Sequence, residues 1–230
     1  MTEVVIRNKN ILKLLNDTID EFRSIPDYNH PRYHLNTGGG TPLNGHYYAG
    51  EDHLRDDILN KTPTLWHKGF PEYAYSFQIS NAKKIDPDKF AAFEQKTKGE
   101  LPKVFGSHSN ALTSFYPPGG FVSWHTNWDA HCYQLLFTWS ETGAGYFSYY
   151  DIESDSVVKI PDVKGWQCRH FYFGRIDEPK HHCWHAAHTE CERFTLAYKF
   201  KNESLDSPKD ALAQQMRDML IDEIELDIDA

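Results

Sequence analysis

His125 and His185 stand sixty residues apart in a chain of 230, and Arg193 follows the second histidine by eight. Side chains two apart on a strand point to the same face. In the stretch WHTNWDAH that rule groups Ser123, His125 and Asn127, with Asp129 joining them if the strand runs on undisturbed. In RFTLAYKF it groups Arg193, Thr195, Ala197 and Lys199 on one face and Phe194, Leu196, Tyr198 and Phe200 on the other. Arginine offers a planar fork of donors that matches a carboxylate, and a hydroxyl beside it adds one more hydrogen bond.

Two imidazoles from separate strands can meet inside a β-barrel. With one oxygen ligand on the same face they leave three coordination positions open, the facial arrangement of non-haem Fe(II) oxygenases. The oxygen ligand has three readings. The Asn127 amide oxygen supplies it, as a neutral and weaker donor. Or the strand bulges after His125, and Asp129 supplies a carboxylate. Or only the histidines bind, and water or another anion fills the gap. Charge arithmetic does not choose between the first two, although a neutral ligand weakens the hold on a hard cation. A zinc knuckle from Cys183, His185, His188 and Cys191 fits less well. Structural zinc sites favour paired short knuckles, and strand spacing sends these four to opposite faces. His181, His182 and His188 are expected at the surface or behind the ligands.

The elements that must position these groups lie mostly between Asn110 and Phe200. Short aromatic and β-branched runs follow one another there: 111–116, 121–125, 133–139, 146–150, 156–160, 166–173 and 193–200. Seven such runs at this spacing predict an antiparallel sandwich or barrel. Upstream, Leu12, Leu15, Ile19 and Phe22 predict a helix over 3–24, stopped by Pro26. Residues 27–50 read as a loop, suited to a lid or substrate loop. Gly38, Gly39 and Gly40 lack the Lys-Ser/Thr pair of a phosphate loop. A short helix follows at 51–60, a strand at 73–79, and a helix from Asp86-Pro87 to about Lys98, ending at Gly99. Downstream, Ser207-Pro208 caps a last helix with Asp210 at its third position. Leu212, Met216, Met219 and Leu220 are expected to face inward, and the acidic tail to fray. Trp124, Trp128, Tyr133, Trp139, Trp166 and Trp184 are expected mostly in the core, with one or two shaping a pocket near the metal. The economical organisation is one domain: helices and loop 1–105, β core 106–202, terminal helix 207–226.

Composition narrows the partners. Lys plus Arg number 24 against 33 Asp plus Glu, a net charge of −9. So acidic a field disfavours nucleic acid. No apolar run is long enough to span a membrane, and the first residues lack a signal-peptide core. The expected location is cytoplasmic, with the four cysteines as free thiols.

The span from about Asn110 to Phe200 resembles the 2-oxoglutarate- and Fe(II)-dependent oxygenases, most closely the small prolyl-hydroxylase-like members of bacteria and their viruses. TSFYPPGGFVSWHTN, QLLFTWSETGAGYFSYYD and WHAAHTECERFTLAYKF carry the likeness by their order and spacing. The resemblance implies a mainly β fold with flanking helices, the double-stranded β-helix of jelly-roll or cupin type. It implies His125 and His185 as iron ligands, with Arg193 binding the distal carboxylate of 2-oxoglutarate. Thr195 would support that arginine, and Tyr116 would donate to the co-substrate. Ser140 to Gly143 would turn a hairpin. The activity implied is that of a dioxygenase using O2 to hydroxylate an unactivated C–H bond of a peptidyl, amino-acid or small-molecule substrate. Asn127 is the departure, because the family pattern has a carboxylate there. Halogenating members also lack it, but hold a small residue. Two rivals follow: a β-helix kept as a binding or scaffold module, and a cupin-like metal enzyme that does not use 2-oxoglutarate.

Overall fold

The computed structural model describes residues 1–37, 41–60, 69–127, 131–175, 177–200 and 211–227. Eleven strands are present: β1 (Thr2–Val4), β2 (Leu35–Thr37), β3 (Ala74–Gln78), β4 (Ser109–Tyr116), β5 (Phe121–His125), β6 (Cys132–Ser140), β7 (Gly145–Asp151), β8 (Ser156–Pro161), β9 (Gly165–Phe173), β10 (His185–Thr189) and β11 (Arg193–Phe200). From β4 onward, eight successive strands form two antiparallel sheets, ordered β9-β6-β11-β4 and β5-β10-β7-β8, and the chain changes sheet at every step except β7 to β8. Eight strands in that order form a jelly roll, the double-stranded β-helix. At one edge β3 pairs with both β4 and β5 and joins the two sheets.

Alternation along β11 decides what each face of the larger sheet buries. Phe194, Leu196, Tyr198 and Phe200 pack outward beneath the helices, in the main core around Phe22, Phe77 and Phe115. Ala197 faces inward with Leu136, Phe147, Phe171 and Phe173, between the sheets. A third cluster, with Phe121, Trp124, Tyr146 and Trp184, covers the outside of the smaller sheet. Trp124 and Trp184 therefore face away from the interior, and no described tryptophan lines the cavity.

Seven helices flank the sheets: α1 (Lys9–Ser24), α2 (Gly45–Tyr48), α3 (Glu51–His53), α4 (Ile79–Ile85), α5 (Pro87–Gln95), α6 (Leu101–Val104) and α7 (Ala211–Glu225). Several depart from expectation. The first helix starts at Lys9 rather than residue 3, because the Asn8 side chain accepts from the Asn10 and Ile11 amides and so caps it. Residues 2–4 pair with β9 instead. Residues 27–50 are not one loop but hold β2, α2 and two short 3-10 turns. The helix beginning at Pro87 does not end at Gly99. It widens over Lys96–Glu100 and continues as α6. Asp86 does not cap it, since its carboxylate accepts from Arg32 and Tyr33. In α7 the inward residues are Ala213, Leu220 and Ile224, while Met216 and Met219 are exposed. The tail is helical as far as Glu225, held by backbone bonds from Arg7 and Asn8 to Ile224. Ser140–Gly143 is not a hairpin turn. β6 already has β9 and β11 on its two sides, so the chain must cross to the other sheet. Gly143 makes that crossing at φ 86°, a conformation a side chain resists. Among the jelly-roll strands, the one that sequence missed is β10. Its HAAHT has little intrinsic β propensity, and neighbours β5 and β7 impose the conformation.

Gly38–Gly40, Leu212's side chain, Ser207, Pro208, Asp210, Trp128 and Asp129 lie outside the described residues. No described helix is long and apolar enough to cross a membrane. All four cysteines are free thiols.

Candidate metal and co-substrate site

His125 ends β5, and His185 begins β10 directly opposite it in the antiparallel pair. Their ring centroids are 4.2 Å apart with planes at 46°. The register explains how both reach the interior. His185 pairs with His125, but Ala187 pairs with Val122, so Ser123 and Trp124 together oppose Ala186. That is a β-bulge, a device that re-aims side chains beside functional sites. It puts Val122 and His125 on the cavity wall. Trp124 stays outside, its indole N–H donating to the Gly50 carbonyl at 2.7 Å. Ser123 consequently does not share the inner face with His125, as strict alternation predicted. Its hydroxyl accepts from the Tyr73 amide.

The bulge also fixes the ring chemistry. His125 Nδ1 lies 2.8 Å from the Ser123 carbonyl, and His185 Nδ1 lies 2.9 Å from the Cys183 carbonyl. A carbonyl can only accept, so Nδ1 carries the proton and the neutral ring keeps an unprotonated Nε2, the form that ligates metal. Burial, then the neighbouring His125, pushes the His185 pKa far below its ordinary value and holds it neutral. Phe147 stacks on His185 at 5.5 Å and Phe173 packs at 5.2 Å, which leaves the ring little freedom.

Both imidazoles open into a cavity of about 480 Å³ between the sheets, a size that suits a small ligand. Asn127, just past the end of β5, lines it too. Among the described residues no third His, Cys, Asp or Glu comes within ligating reach of the pair. Cys183, His185, His188 and Cys191 do not converge, because His188 points out of the barrel and stacks on Tyr146. His182 and His188 are buried rather than on the surface.

Arg193 lies on the same cavity wall, 1% exposed. Its Nε donates to Asp162 at 2.9 Å and its Nη1 to the Thr195 hydroxyl at 3.0 Å. Its Nη2 is buried with no protein partner. Burial is the largest influence on this guanidinium and opposes its charge, yet Asp162 and Tyr116 outweigh it and raise the pKa. The Tyr116 ring lies 5.2 Å from the guanidinium carbon and also lines the cavity. Asp162 was not foreseen. It sits in the connection after β8, where sequence offers no periodicity to mark it. Gly145 makes room for it, since a Cβ there would fall 2.6 Å from its carboxylate. Gln167 donates to the other carboxylate oxygen at 2.6 Å. The apolar wall of Phe147, Phe171 and Phe173 was likewise unforeseen.

The residues present fit a divalent metal beside a small carboxylate. Two unprotonated nitrogens converge, and the buried arginine lining the same cavity has one nitrogen without a hydrogen-bond partner among the described residues. An unmet buried donor costs about 1–3 kcal/mol, which an anionic ligand would recover.

No family model matches the chain, and no curated protein matches it in sequence. Several solved structures are similar in shape at low scores. A Pseudomonas putida prolyl-4-hydroxylase has a TM-score of 0.32 and 13% identity over 81% of this chain and 98% of its own. A viral collagen prolyl hydroxylase from Paramecium Bursaria Chlorella virus-1, solved as a 2OG complex, has a TM-score of 0.31 and 12% identity over 73% and 94%. Drosophila melanogaster CENP-C bound to CAL1 has a TM-score of 0.28 and 9% identity over 38% of this chain. There the chain spans less than two thirds of its neighbour, 62%.

Proposed function

We propose that this chain is an Fe(II)- and 2-oxoglutarate-dependent dioxygenase that hydroxylates an unactivated C–H bond of a peptidyl, amino-acid or small-molecule substrate. The observation that carries it is one cavity holding two imidazoles with unprotonated Nε2 atoms and a buried arginine with one nitrogen unpartnered among the described residues. His125 and His185 would hold the iron, with Asn127 or Asp129 as third ligand. Arg193 would bind the distal carboxylate. When bound, iron and 2-oxoglutarate use O2 to put one oxygen atom into the substrate C–H bond and the other into succinate, with release of CO2.

The chain's own residues orient and protect. Ser123 and Cys183 carbonyls hold the two rings in the ligating tautomer. Asp162 and Thr195 occupy Nε and Nη1 of Arg193, which would leave Nη2 to meet the ligand. Tyr116 sits where its hydroxyl can add a second donor. The phenylalanines exclude water, which strengthens each polar contact inside. Metal binding through His185 would need no proton release, because burial already holds that ring neutral.

A second reading has a specific observation behind it. Asn127 stands where a carboxylate would be expected, and no described acid replaces it. A β-helix so altered could bind a ligand without turnover. An anaerobic titration of metal-free protein with Fe(II) and 2-oxoglutarate separates the two. The visible metal-to-ligand charge-transfer band is expected in the parent. Asn127→Ala and Asp129→Ala are compared with it, and whichever loses iron affinity names the third ligand. Absence of the band at every concentration would overturn the 2-oxoglutarate-dependent reading and leave the binding module or a metal enzyme that does not use 2-oxoglutarate.

A further inference from the structure

Outside the barrel, a second group of metal-binding side chains comes together. His46 on α2, His188 on β10 and Glu190 just after β10 bring three donor atoms within 4.8 Å of one another. His46 Nε2 lies 2.7 Å from Glu190 Oε1, and His188 Nε2 lies 3.7 Å from the same oxygen. The two rings are 4.0 Å apart. His188 is only 2% exposed, and its Nε2 has no hydrogen-bond partner although it faces the other two donors. A buried ring nitrogen without a hydrogen-bond partner is an unmet polar group that a ligand can satisfy.

The backbone is built around this ring. Gly45 begins α2 so close to His188 that a Cβ would fall 2.9 Å from its Cδ2. Tyr146 stacks on its other side. On the far side of the cluster the Glu190 amide is fixed by the Ala144 carbonyl at 2.7 Å. His185 and His188, three apart on one strand, face opposite ways, so this cluster is separate from the cavity.

We propose that His46, His188 and Glu190 form a second metal site, for Zn2+ or a similar borderline divalent ion, on the outer face of the β5-β10-β7-β8 sheet. Two imidazoles and a carboxylate, with water as fourth ligand, are a normal zinc set. Ligand bonds near 2.0–2.1 Å in a tetrahedron put donors about 3.3 Å apart. The present spacing needs only small side-chain rotations, and His46 and Glu190 are exposed enough to make them, at 70% and 56%. His188 is the fixed member. The ion would clip α2 and the chain after it onto β10 and meet the unpartnered nitrogen.

The test is a Zn2+ titration of untagged, chelator-stripped full chain against a competing chromophoric chelator. The parent is expected to bind one more equivalent than His46→Ala or Glu190→Gln, each of which should lose at least about 100-fold in affinity for that equivalent. Both altered side chains are exposed, so folding is not at risk. His125→Ala should keep the extra equivalent and its rise in Tm with Zn2+, whether or not the cavity works as an oxygenase. Equal stoichiometry in the parent, His46→Ala and Glu190→Gln would overturn the site and leave a hydrogen-bonded His46–Glu190 pair. Loss of the extra equivalent in His125→Ala alone would overturn it too, by assigning that ion to the cavity.

Discussion

Arg193 shares its three donating nitrogens among Asp162, Thr195 and the cavity. Lysine at this position keeps one charge but has no fork, so it can satisfy Asp162 or the ligand and not both. Arg193→Lys is therefore expected to weaken 2-oxoglutarate binding by about tenfold or more, ~1.4 kcal/mol, with Fe(II) affinity little changed. Anaerobic titration with each ligand in turn checks this, and equal losses for both would count against the assigned role. Asp162→Ala acts differently, because it leaves a buried guanidinium without its counter-ion. The pair is 2% and 0% exposed, and breaking such a pair costs about 3–5 kcal/mol. Urea unfolding should register that loss even in the absence of ligand.

At the scale of elements, the bulge in β5 matters more than strand propensity. Without the extra residue, His125 would follow Ser123 in strict alternation and its relation to Val122 would reverse. The first and last helices meet at Asn8. Its side-chain oxygen caps α1, and its amide donates to Glu223 at 2.8 Å in α7. Asn8→Ala should cost about 1–2 kcal/mol, the upper range for a cap, since it removes both. Asn10→Ala, two residues along and exposed, should cost under about 0.5 kcal/mol. Chemical denaturation of the two variants compares them, and equal midpoints would deny Asn8 its double role.

For the whole molecule, pH is the simplest lever. His34 is stacked on Phe77 at 5.6 Å, and burial lowers its pKa to about 4. Burial lowers that of His170 as well. Both are protonated more readily in the unfolded chain, where histidine titrates near 6.5. The unfolded state then binds more protons between pH 6.5 and about 4, so stability falls as pH drops through that window. Tm measured from pH 7.5 to 4.5 should decline, with a shallower slope in His34→Gln. An unchanged slope would remove His34 from the account.

Much of this was legible in the chain itself. Side-chain alternation separated Arg193, Thr195 and Ala197 from Phe194, Leu196 and Tyr198, because a pleated strand leaves no other choice. Turn residues and β-branched runs marked seven of the eight jelly-roll strands for the same local reason. Residue type and order brought His125, His185 and Arg193 under suspicion, the family resemblance added Tyr116, and all four line one cavity. What local pattern could not carry was decided by tertiary structure. β10 became a strand because β5 and β7 flank it. The bulge turned His125 inward, since the pairing register is a property of two strands and not of one. Asp162 found Arg193 across 31 residues, and His46 found His188 and Glu190 from a helix on the opposite side of the chain's path. Such contacts belong to packing, where residues distant in sequence are forced together by burying the apolar faces between them.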